Sequence, residues 1–566
     1  MMTRFGKIFN REHSNIHHAA FWLAMFGILA DILGLFRDRL LAGMFGASRT
    51  LDIYYAAFRV PDFIYTLMLL FTASTAIIPI FLEKYAEKKD SAAAEAFLGS
   101  LISFFTILII VLAAVAFFLM PFFMSLFLPG FSAGDLHTAV LLGRILLLSP
   151  IFLGLSNIIS SATQSFNRFF VYGLSGVFYN IGIIVGIAVF YKWFGLMGLA
   201  YGVALGAFLH MAVQLPSLSS VGIRPKFTLK WDKDIRHIAW LSLPRTLGLG
   251  ISQITLTALT AVASVLASGS ITVFNLALNL QGIPITIIGL SYSVAAFPAL
   301  ASFSLKKARS RFEEHFNSAF LHILFWALPF SVLLLVLRAQ VVRIILGSGN
   351  FSWSDTRLTA ASLFILSLAV VFQSLFYLLV RAFYADGESW RPLIINLISA
   401  LLSLGAAFWF VGALAHGGFL YDFSRNLFRL PDIEDIRVLA LSLGMLVGAA
   451  LNFIFLSFTF RVIFGWFPAK GSLRSVLEIS AAAVFGGIGA YWGLNVFAYV
   501  FDLHTFFGIL CQGFFAGILG ILIDIGILWI LKNRQLQEIH KSLMAGFEEP
   551  PKDIHQVAAP EPEKLP

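Results

Sequence analysis

The uncharged run from Leu101 to Pro129 decides the class of fold that this chain can adopt. It holds 29 residues without an ionisable side chain, more than the roughly 20 that a helix needs to cross a hydrocarbon core about 30 Å thick. A transmembrane β-barrel would instead show alternating segments of about ten residues. Lipid offers no hydrogen-bond partners to an open sheet edge, so the run predicts a helix that spans a membrane.

The rest of the sequence repeats this pattern. Of its 566 residues, 59% are hydrophobic and 12% charged, whereas soluble domains have about 25% charged residues. Windows of about 20 apolar residues predict fourteen spans, at 19–45, 53–82, 96–128, 138–162, 169–191, 195–216, 238–265, 270–303, 317–337, 358–384, 392–413, 437–462, 475–500 and 503–531. The predicted fold class is an all-α polytopic membrane protein with about 14 transmembrane helices.

An internal repeat with an offset of about 220 residues relates the first six spans to the next six, since Gly46 to Tyr54 corresponds to Leu266 to Phe274. Each half has an even number of spans, so both halves have the same orientation, and a central site is expected between them. We expect an N-terminal lobe at 1–222, a C-terminal lobe at 223–465, two further spans within 466–535, and a disordered tail at 536–566.

The distribution of basic residues predicts the orientation. The net charge is +9, and Lys and Arg gather in alternate loops, as at Lys84, Lys88 and Lys89 and at Lys306, Lys307 and Arg309. This bias predicts that both termini are cytoplasmic and that the polar, aromatic loop at 414–436 is outside. It is a topogenic pattern, so nucleic acid is not an expected partner.

Charged side chains inside the first span are the leading candidates for function, because charge within a membrane is costly. Asp31 and Asp38 are seven residues apart and share one helix face, and Arg37 lies beside it. These three residues could line a cavity. Alternatively, Asp31 could form an ion pair with Arg245 that holds helices together without any ligand.

The second span begins with Asp52 and continues into Arg59, Pro61 and Asp62. Pro61 removes a backbone donor and is predicted to bend the helix, which is tolerated in a membrane where protein or a water-filled cavity surrounds the freed carbonyls. Arg59 and Asp62 are therefore cavity candidates. Asp52 is a candidate too, although an Asp at the start of a helix more often serves as an N-cap.

The seventh and eighth spans supply the opposite wall in this interpretation. Arg245 follows a proline, and Asn275, Asn279 and Pro284 lie in the eighth span. Pro284 is a predicted kink that corresponds to Pro61. Asparagines in membrane helices serve equally often as interhelical hydrogen-bond partners, so their alternative role is structural.

The sequence shows no pattern typical of an enzyme, a metal site or a bound cofactor. Three classes of membrane protein stay open: a flippase for a lipid-linked cargo, an antiporter for drugs or small molecules, and a scaffold without transport. In the antiporter, Asp31, Asp38 and Asp52 would bind a coupling Na⁺ or H⁺. In the scaffold, the charges would be mutually paired around no open cavity.

Several motifs resemble the MurJ/MviN lipid II flippases of the multidrug/oligosaccharidyl-lipid/polysaccharide exporter superfamily. They are Leu33-Gly-Leu-Phe-Arg-Asp38, Ala42-Gly-Met-Phe-Gly-Ala47, Asp52-Ile-Tyr-Tyr-Ala-Ala-Phe-Arg-Val-Pro61, Ile78-Pro79, Ile251-Ser-Gln-Ile254 and Leu266-Ala-Ser-Gly-Ser270. The resemblance implies a V-shaped fold of two six-helix lobes and two C-terminal helices. It also implies export of an undecaprenyl-pyrophosphate-linked peptidoglycan precursor across the bacterial inner membrane by alternating access.

By the same resemblance, Arg37 matches a cavity arginine of the family and Asp52 an acidic position. The sequence departs from the family where Asp31 replaces an arginine and where Leu278-Asn279 replaces Asp-Arg. A pyrophosphate in a cavity requires cations, so Arg37, Arg59 and Arg245 are predicted to bind it. The expected partners are membrane lipid, the lipid-linked precursor and other cell-wall synthesis proteins; another amphipathic cargo is the alternative.

Overall fold

The computed structural model describes residues 16–72, 77–78, 80–84, 91–166, 168–220, 228, 233–415, 417–465 and 472–545. Within these ranges the chain consists of helices whose order follows the predicted spans. The N-terminal half contains α1 (Ile16–Phe45), α2 (Arg49–Ala57), α3 (Arg59–Thr72), α4 (Ser91–Phe127), α5 (Ala133–Leu146), α6 (Leu148–Ser165), α7 (Phe169–Val185), α8 (Tyr191–Phe194), α9 (Leu196–Ala212) and α10 (Leu215–Ser220).

The C-terminal half repeats this series of long helices. It contains α11 (Lys233–Ser264), α12 (Ser270–Pro284), α13 (Ser291–Leu305), α14 (Arg309–Ile345), α15 (Trp353–Ala385), α16 (Trp390–Ala413), α17 (Phe419–Phe428) and α18 (Leu439–Phe464). Three helices follow: α19 (Ser472–Phe497) and α20 (Phe506–Ile530), which pack on each other and on α14, and the short α21 (Arg534–Ala545).

Twelve helices in the described residues are long and apolar enough to cross a membrane. The protein is therefore an all-α multi-pass membrane protein. The helices at the first two predicted spans, α1 and α2–α3, are not among these twelve, so the count of fourteen stays a prediction. The stretch 414–436 is not all loop, since α17 lies within it. α21 enters the region 536–566, for which the sequence predicts disorder, and residues after Ala545 lie outside the described part.

The predicted kinks coincide with interruptions of two helices. α2 ends at Ala57 and α3 begins at Arg59, so Pro61 lies in the first turn of α3, where an N–H would have no partner within the helix. Pro284 is the last residue of α12, and a π-helical segment at 285–290 connects it to α13. Such widened turns bend helices and are frequent at functional sites. The role of both prolines as hinges stays a prediction, and Pro79 lies outside the described residues.

The two halves contact each other along α3 and α11 and through an ion pair between Lys84 and Asp234. They also meet at one end of the bundle, which we call the closed end and define by residues 43–52, 130, 264–272 and 348–355. There the backbone N–H of Asn350 donates to the Gly43 carbonyl at 2.8 Å, and the Asn350 side chain donates to the Met44 carbonyl at 2.7 Å. The Ala47 N–H donates to Asp355 at 3.3 Å. Because each of these bonds joins a backbone group of one half to a fixed partner in the other, the closed end is a specific contact rather than loose packing.

Candidate functional site

Asp52 joins the two halves at the closed end. Ser48 caps α2, which turns Asp52 in the first turn of α2 toward the other half, where it is 1% exposed. Its carboxylate accepts hydrogen bonds from the N–H of Gly269 at 2.7 Å and from the N–H and hydroxyl of Thr272, both at 2.8 Å. Gly269 occupies the N-cap of α12 and has no side-chain acceptor. Asp52 therefore supplies the missing cap of α12 from the opposite half.

Arg37 and Asp38 form an ion pair within α1. The Arg37 guanidinium donates to Asp38 Oδ1 at 2.8 and 2.9 Å and to Asn180 Oδ1 of α7 at 3.4 Å. The Arg37 side chain is 22% exposed and that of Asp38 only 5%. The second carboxylate oxygen of Asp38 accepts from Asn279 of α12 at 3.0 Å. The pair is thus anchored to its own half by Asn180 and to the other half by Asn279.

Arg59 forms a third contact between the N-terminal half and α12. Its guanidinium donates to Asn275 Oδ1 at 2.7 Å, and the side chain is 4% exposed. The Asn275 amide nitrogen donates to the Ile271 carbonyl at 2.8 Å, which fixes the amide with its oxygen toward Arg59. Nε of Arg59 is buried without a hydrogen-bond partner in the described part of the chain. Arg59 therefore keeps one unused donor in this conformation.

The structure brings together most, but not all, of the predicted site residues. Asn275 and Asn279 are four residues apart on α12 and contact Arg59 and Asp38, respectively. Asp31 is exposed on α1 and forms no hydrogen bond or ion pair with another described residue. The side chain of Arg245 lies outside the described residues, so its predicted pairing with Asp31 and its place in the cavity stay predictions.

Asn180 is a site residue that the sequence alone does not indicate. It lies in α7 and also donates to the carbonyls of Ala30 and Gly176, at 3.1 and 3.2 Å. Its signal in the sequence is a lone amide inside an apolar span, which predicts a polar contact between helices but not the identity of the partner.

The charges at the site are balanced in this conformation. Arg37 is matched by Asp38, and Arg59 lies near Asp62 with its guanidinium on a neutral amide. Buried charges of this kind are stable only while paired. Because Asn275 and Asn279 come from the other half, any separation of α12 from α1 and α3 removes a partner from Arg59 and from Asp38. Among the described residues, no group of three or more His, Cys, Asp or Glu could hold a metal ion.

Comparison with known sequences places the chain in a family. The family model described as "Lipid II flippase MurJ" matches residues 41–512. The chain belongs to the lipid II flippase MurJ family. It is 29% identical over 395 residues to a probable lipid II flippase MurJ of Buchnera aphidicola subsp. Schizaphis graminum, covering 69% of this chain and 76% of that one. It is 25% identical over 511 residues to the lipid II flippase MurJ of Burkholderia cenocepacia, covering 85% and 91%.

Solved structures agree on the fold of this MurJ family member. A lipid II flippase MurJ in an inward closed conformation matches with a TM-score of 0.69 and 24% identity, over 92% of this chain and 99% of that one. An inward-facing multidrug resistance transporter of the MATE family matches with a TM-score of 0.60 and 17% identity, over 80% and 95%. The exporter fold implied by the sequence motifs is confirmed by these matches.

Proposed function

We propose that this protein is a flippase that carries lipid II, a polyprenyl-pyrophosphate-linked peptidoglycan precursor, across the bacterial inner membrane by alternating access. The family model and the flippases among its relatives support this proposal. The observation that carries it is the contact of buried Arg59 with Asn275 across the two halves. This contact puts a cation where a movement of the halves exposes it.

The pyrophosphate of the cargo replaces one of the contacts that opening breaks, the one at Arg59. When the halves part, Arg59 loses Asn275 and Asp38 loses Asn279. Among the described residues, Arg59 then keeps only the nearby carboxylate of Asp62 in its own helix, and a buried guanidinium with unused donors is costly. A pyrophosphate offers oxygens for charge-assisted, bidentate hydrogen bonds to Arg59 and Arg37. Cargo binding thereby offsets the cost of opening and couples transport to the change of conformation.

In this proposal, the polyprenyl tail of the cargo binds a different surface of the protein from the one that binds its pyrophosphate. A groove of about 320 Å³ runs between α14 and α19 and is lined by Val332, Val336, Gly487 and Ile488. The lining is mostly aliphatic, with Arg338 and Tyr491 as its polar members, and an aliphatic surface suits a polyprenyl chain, which has no polar group to satisfy. We assign the tail to this groove and the pyrophosphate to the arginines between the halves.

The proposed topology follows from the charge bias of the loops. Both termini are cytoplasmic in this proposal, and the closed end faces outward. The lobes comprise residues 1–222 and 223–465, and 466–535 hold two further spans. Because the precursor is used outside the inner membrane, other cell-wall synthesis proteins are proposed partners at the outer side.

Replacement of Arg37 by Ala tests the proposal. In a strain depleted of its own lipid II flippase, the wild-type chain should restore growth, and Arg37→Ala should abolish this rescue at an unchanged protein level. Arg144→Ala is the matched control, because Arg144 donates to the Phe117 carbonyl outside the site. Normal growth with Arg37→Ala would contradict the proposal, and proton-coupled dye efflux from vesicles without lipid II transport would favour the antiporter.

A further inference from the structure

The short helix α17 lies in the chain between two membrane-spanning helices, α16 and α18. Because successive residues of a helix are rotated by about 100°, its ten residues form three distinct faces. The first face packs on the protein: Tyr421 and Ser424 are buried, and the ring of Phe428 meets that of Phe364 in α15 at a centroid distance of 5.3 Å. This face fixes α17 to the C-terminal half.

The second face of α17 is apolar and exposed. Phe419, Phe423 and Leu427 follow one another at intervals of four residues, which places them in one stripe along the helix. Their side chains are 81%, 51% and 47% exposed, and the rings of Phe419 and Phe423 stack at a centroid distance of 6.0 Å. Large apolar side chains gain free energy when an apolar environment covers them, and a contiguous exposed patch of this kind marks a site of contact with protein or membrane.

The third face of α17 is polar. It carries Asp422, Arg425 and Asn426, and the side chains of Asp422 and Asn426 are exposed. A surface helix of a water-soluble protein needs only two faces, one toward the core and one toward water. The additional apolar face of α17 requires a third environment. A helix that lies in the plane of a membrane surface has this division into an apolar and a polar exposed side.

Contacts with α15 place α17 at the level of the membrane surface. α15 has 33 residues, a length of about 50 Å, so a hydrocarbon core of about 30 Å leaves about 10 Å at each end. Arg357, about 6 Å from the start of α15, donates to the Arg429 carbonyl at the end of α17 at 3.1 Å. Phe364, which meets Phe428, is about 16 Å from that start. α17 therefore lies beside the boundary between headgroups and hydrocarbon rather than above it.

The apolar stripe is close in the chain to a surface that faces lipid. α16 is a membrane-spanning helix, and Phe408 and Trp409 near its end are exposed. Aromatic side chains are enriched at the interface between membrane and water. Five residues connect α16 to Phe419, and such a connection spans at most about 20 Å. α17 therefore begins near the level at which the aromatic side chains of α16 meet the lipid.

We infer that α17 is an interfacial helix that inserts Phe419, Phe423 and Leu427 into the lipid leaflet at the closed end. Its polar face then lies toward water and its third face stays on the C-terminal half. The surface is one for lipid and does not depend on the identity of the cargo. Arg357, which contacts α17, is two residues from Asp355, and Asp355 accepts the Ala47 N–H from the other half. The inserted helix thereby anchors the C-terminal side of the closed end at the membrane surface.

Spin labels on the purified full-length protein, in vesicles of phosphatidylcholine and phosphatidylglycerol, test the inference. Each variant carries one cysteine, Phe423→Cys or Asp422→Cys, in a Cys511→Ser background and is labelled with a nitroxide. Molecular oxygen concentrates in the hydrocarbon, and a polar nickel chelate stays in water. We expect the label at Phe423→Cys to collide with oxygen and to lose its collisions with the nickel chelate. The label at Asp422→Cys, on the polar face, should show the reverse, and Phe408→Cys on α16 is the lipid-facing reference.

Two results would overturn the inference. Preferential collision with the nickel chelate at Phe423→Cys would show that the stripe lies in water. Loss of collisions with both reagents would show that protein covers the stripe, and spectral broadening between labels would identify that protein as a second copy of the chain. Phe419→Cys and Leu427→Cys occupy the same stripe and provide the same test if Phe423→Cys fails to fold.

Discussion

Asp52 and Thr272 belong to opposite halves of the chain, and the carboxylate of Asp52 accepts both the N–H and the hydroxyl of Thr272 at 2.8 Å. A third bond, from Gly269, completes the cap of α12. A helix N-terminus carries partial positive charge, which a nearby carboxylate stabilises. The closed end is consequently held in part by a helix cap that one half supplies to the other.

Replacement of Asp52 by Ala should loosen the closed end. The N–H groups of Gly269 and Thr272 lose their acceptor, and the free energy of unfolding should fall by about 1–3 kcal/mol. The variant can be studied with Ala47→Cys as a reporter in a Cys511→Ser background, since Cys511 is the single native cysteine. Thermal unfolding and the rate of thiol labelling at Ala47→Cys are the measurements, and labelling should become faster.

Ser48→Ala is the matched control for this prediction. Ser48 caps α2 within its own half, on the N–H of Leu51 at 3.5 Å. Its loss should lower the stability without a comparable increase in labelling. Equal labelling rates in the two variants would show that the Asp52 cap does not hold the halves together.

The backbone at Gly269 should tolerate no side chain. Its φ is +90°, and a Cβ atom added there would overlap the carbonyl oxygen of Ala47 in the other half. Gly387 has a similar φ of +80°, and a Cβ atom added there would have nothing within 4 Å. Gly269→Ala should therefore lower the unfolding temperature more than Gly387→Ala, because both carry the backbone strain of about 1–2 kcal/mol but only the first forces the halves apart. Equal unfolding temperatures would contradict this role of Gly269 in the closed end.

A disulfide across the closed end should arrest transport. A Cβ atom on Gly43 would lie 2.8 Å from the hydroxyl oxygen of Ser348, so the two side chains would be in direct contact, as a disulfide requires. We expect Gly43→Cys combined with Ser348→Cys, in a Cys511→Ser background, to form a disulfide on oxidation and to lose lipid II transport in vesicles. Reduction should restore it, and each single cysteine variant should stay active under oxidation. Undiminished transport by the oxidised double variant would rule out opening at this end.

The fold is largely predictable because a long apolar stretch of sequence is enough to identify a membrane helix. The run from Leu101 to Pro129 has no charge, and its helix, α4, extends from Ser91 to Phe127. Helix interruptions are predictable at Pro61 and Pro284 because proline lacks a backbone donor. α17 is not predictable in this way, since a ten-residue helix is too short for a hydropathy window and its apolar residues occupy only one face.

The site is predictable only in part, because a sequence shows which groups are polar but not which partner each one meets. Charge inside apolar spans points to Arg37, Asp38 and Arg59. The position of Asp52 suggests a cap of its own helix, whereas the cap it provides belongs to α12, a contact between residues 217 positions apart. Asn180 is not predicted as a site residue for the same reason: the sequence does not show that its partner is Arg37.

Replacement of Asn275 by Asp should convert a neutral contact into an ion pair and slow transport. Arg59 is buried and donates to Asn275 Oδ1 at 2.7 Å, so a carboxylate of the same shape faces the guanidinium directly. A charge-assisted hydrogen bond is roughly twice as strong as a neutral one, which favours the conformation with the halves in contact. The unfolding temperature should rise and the rate of lipid II transport should fall, whereas Asn275→Ala should lower the unfolding temperature because it leaves the guanidinium without this acceptor. Asn495→Asp, at an exposed position, should change neither quantity, and faster transport by Asn275→Asp would mean that breaking this contact is not a step in opening.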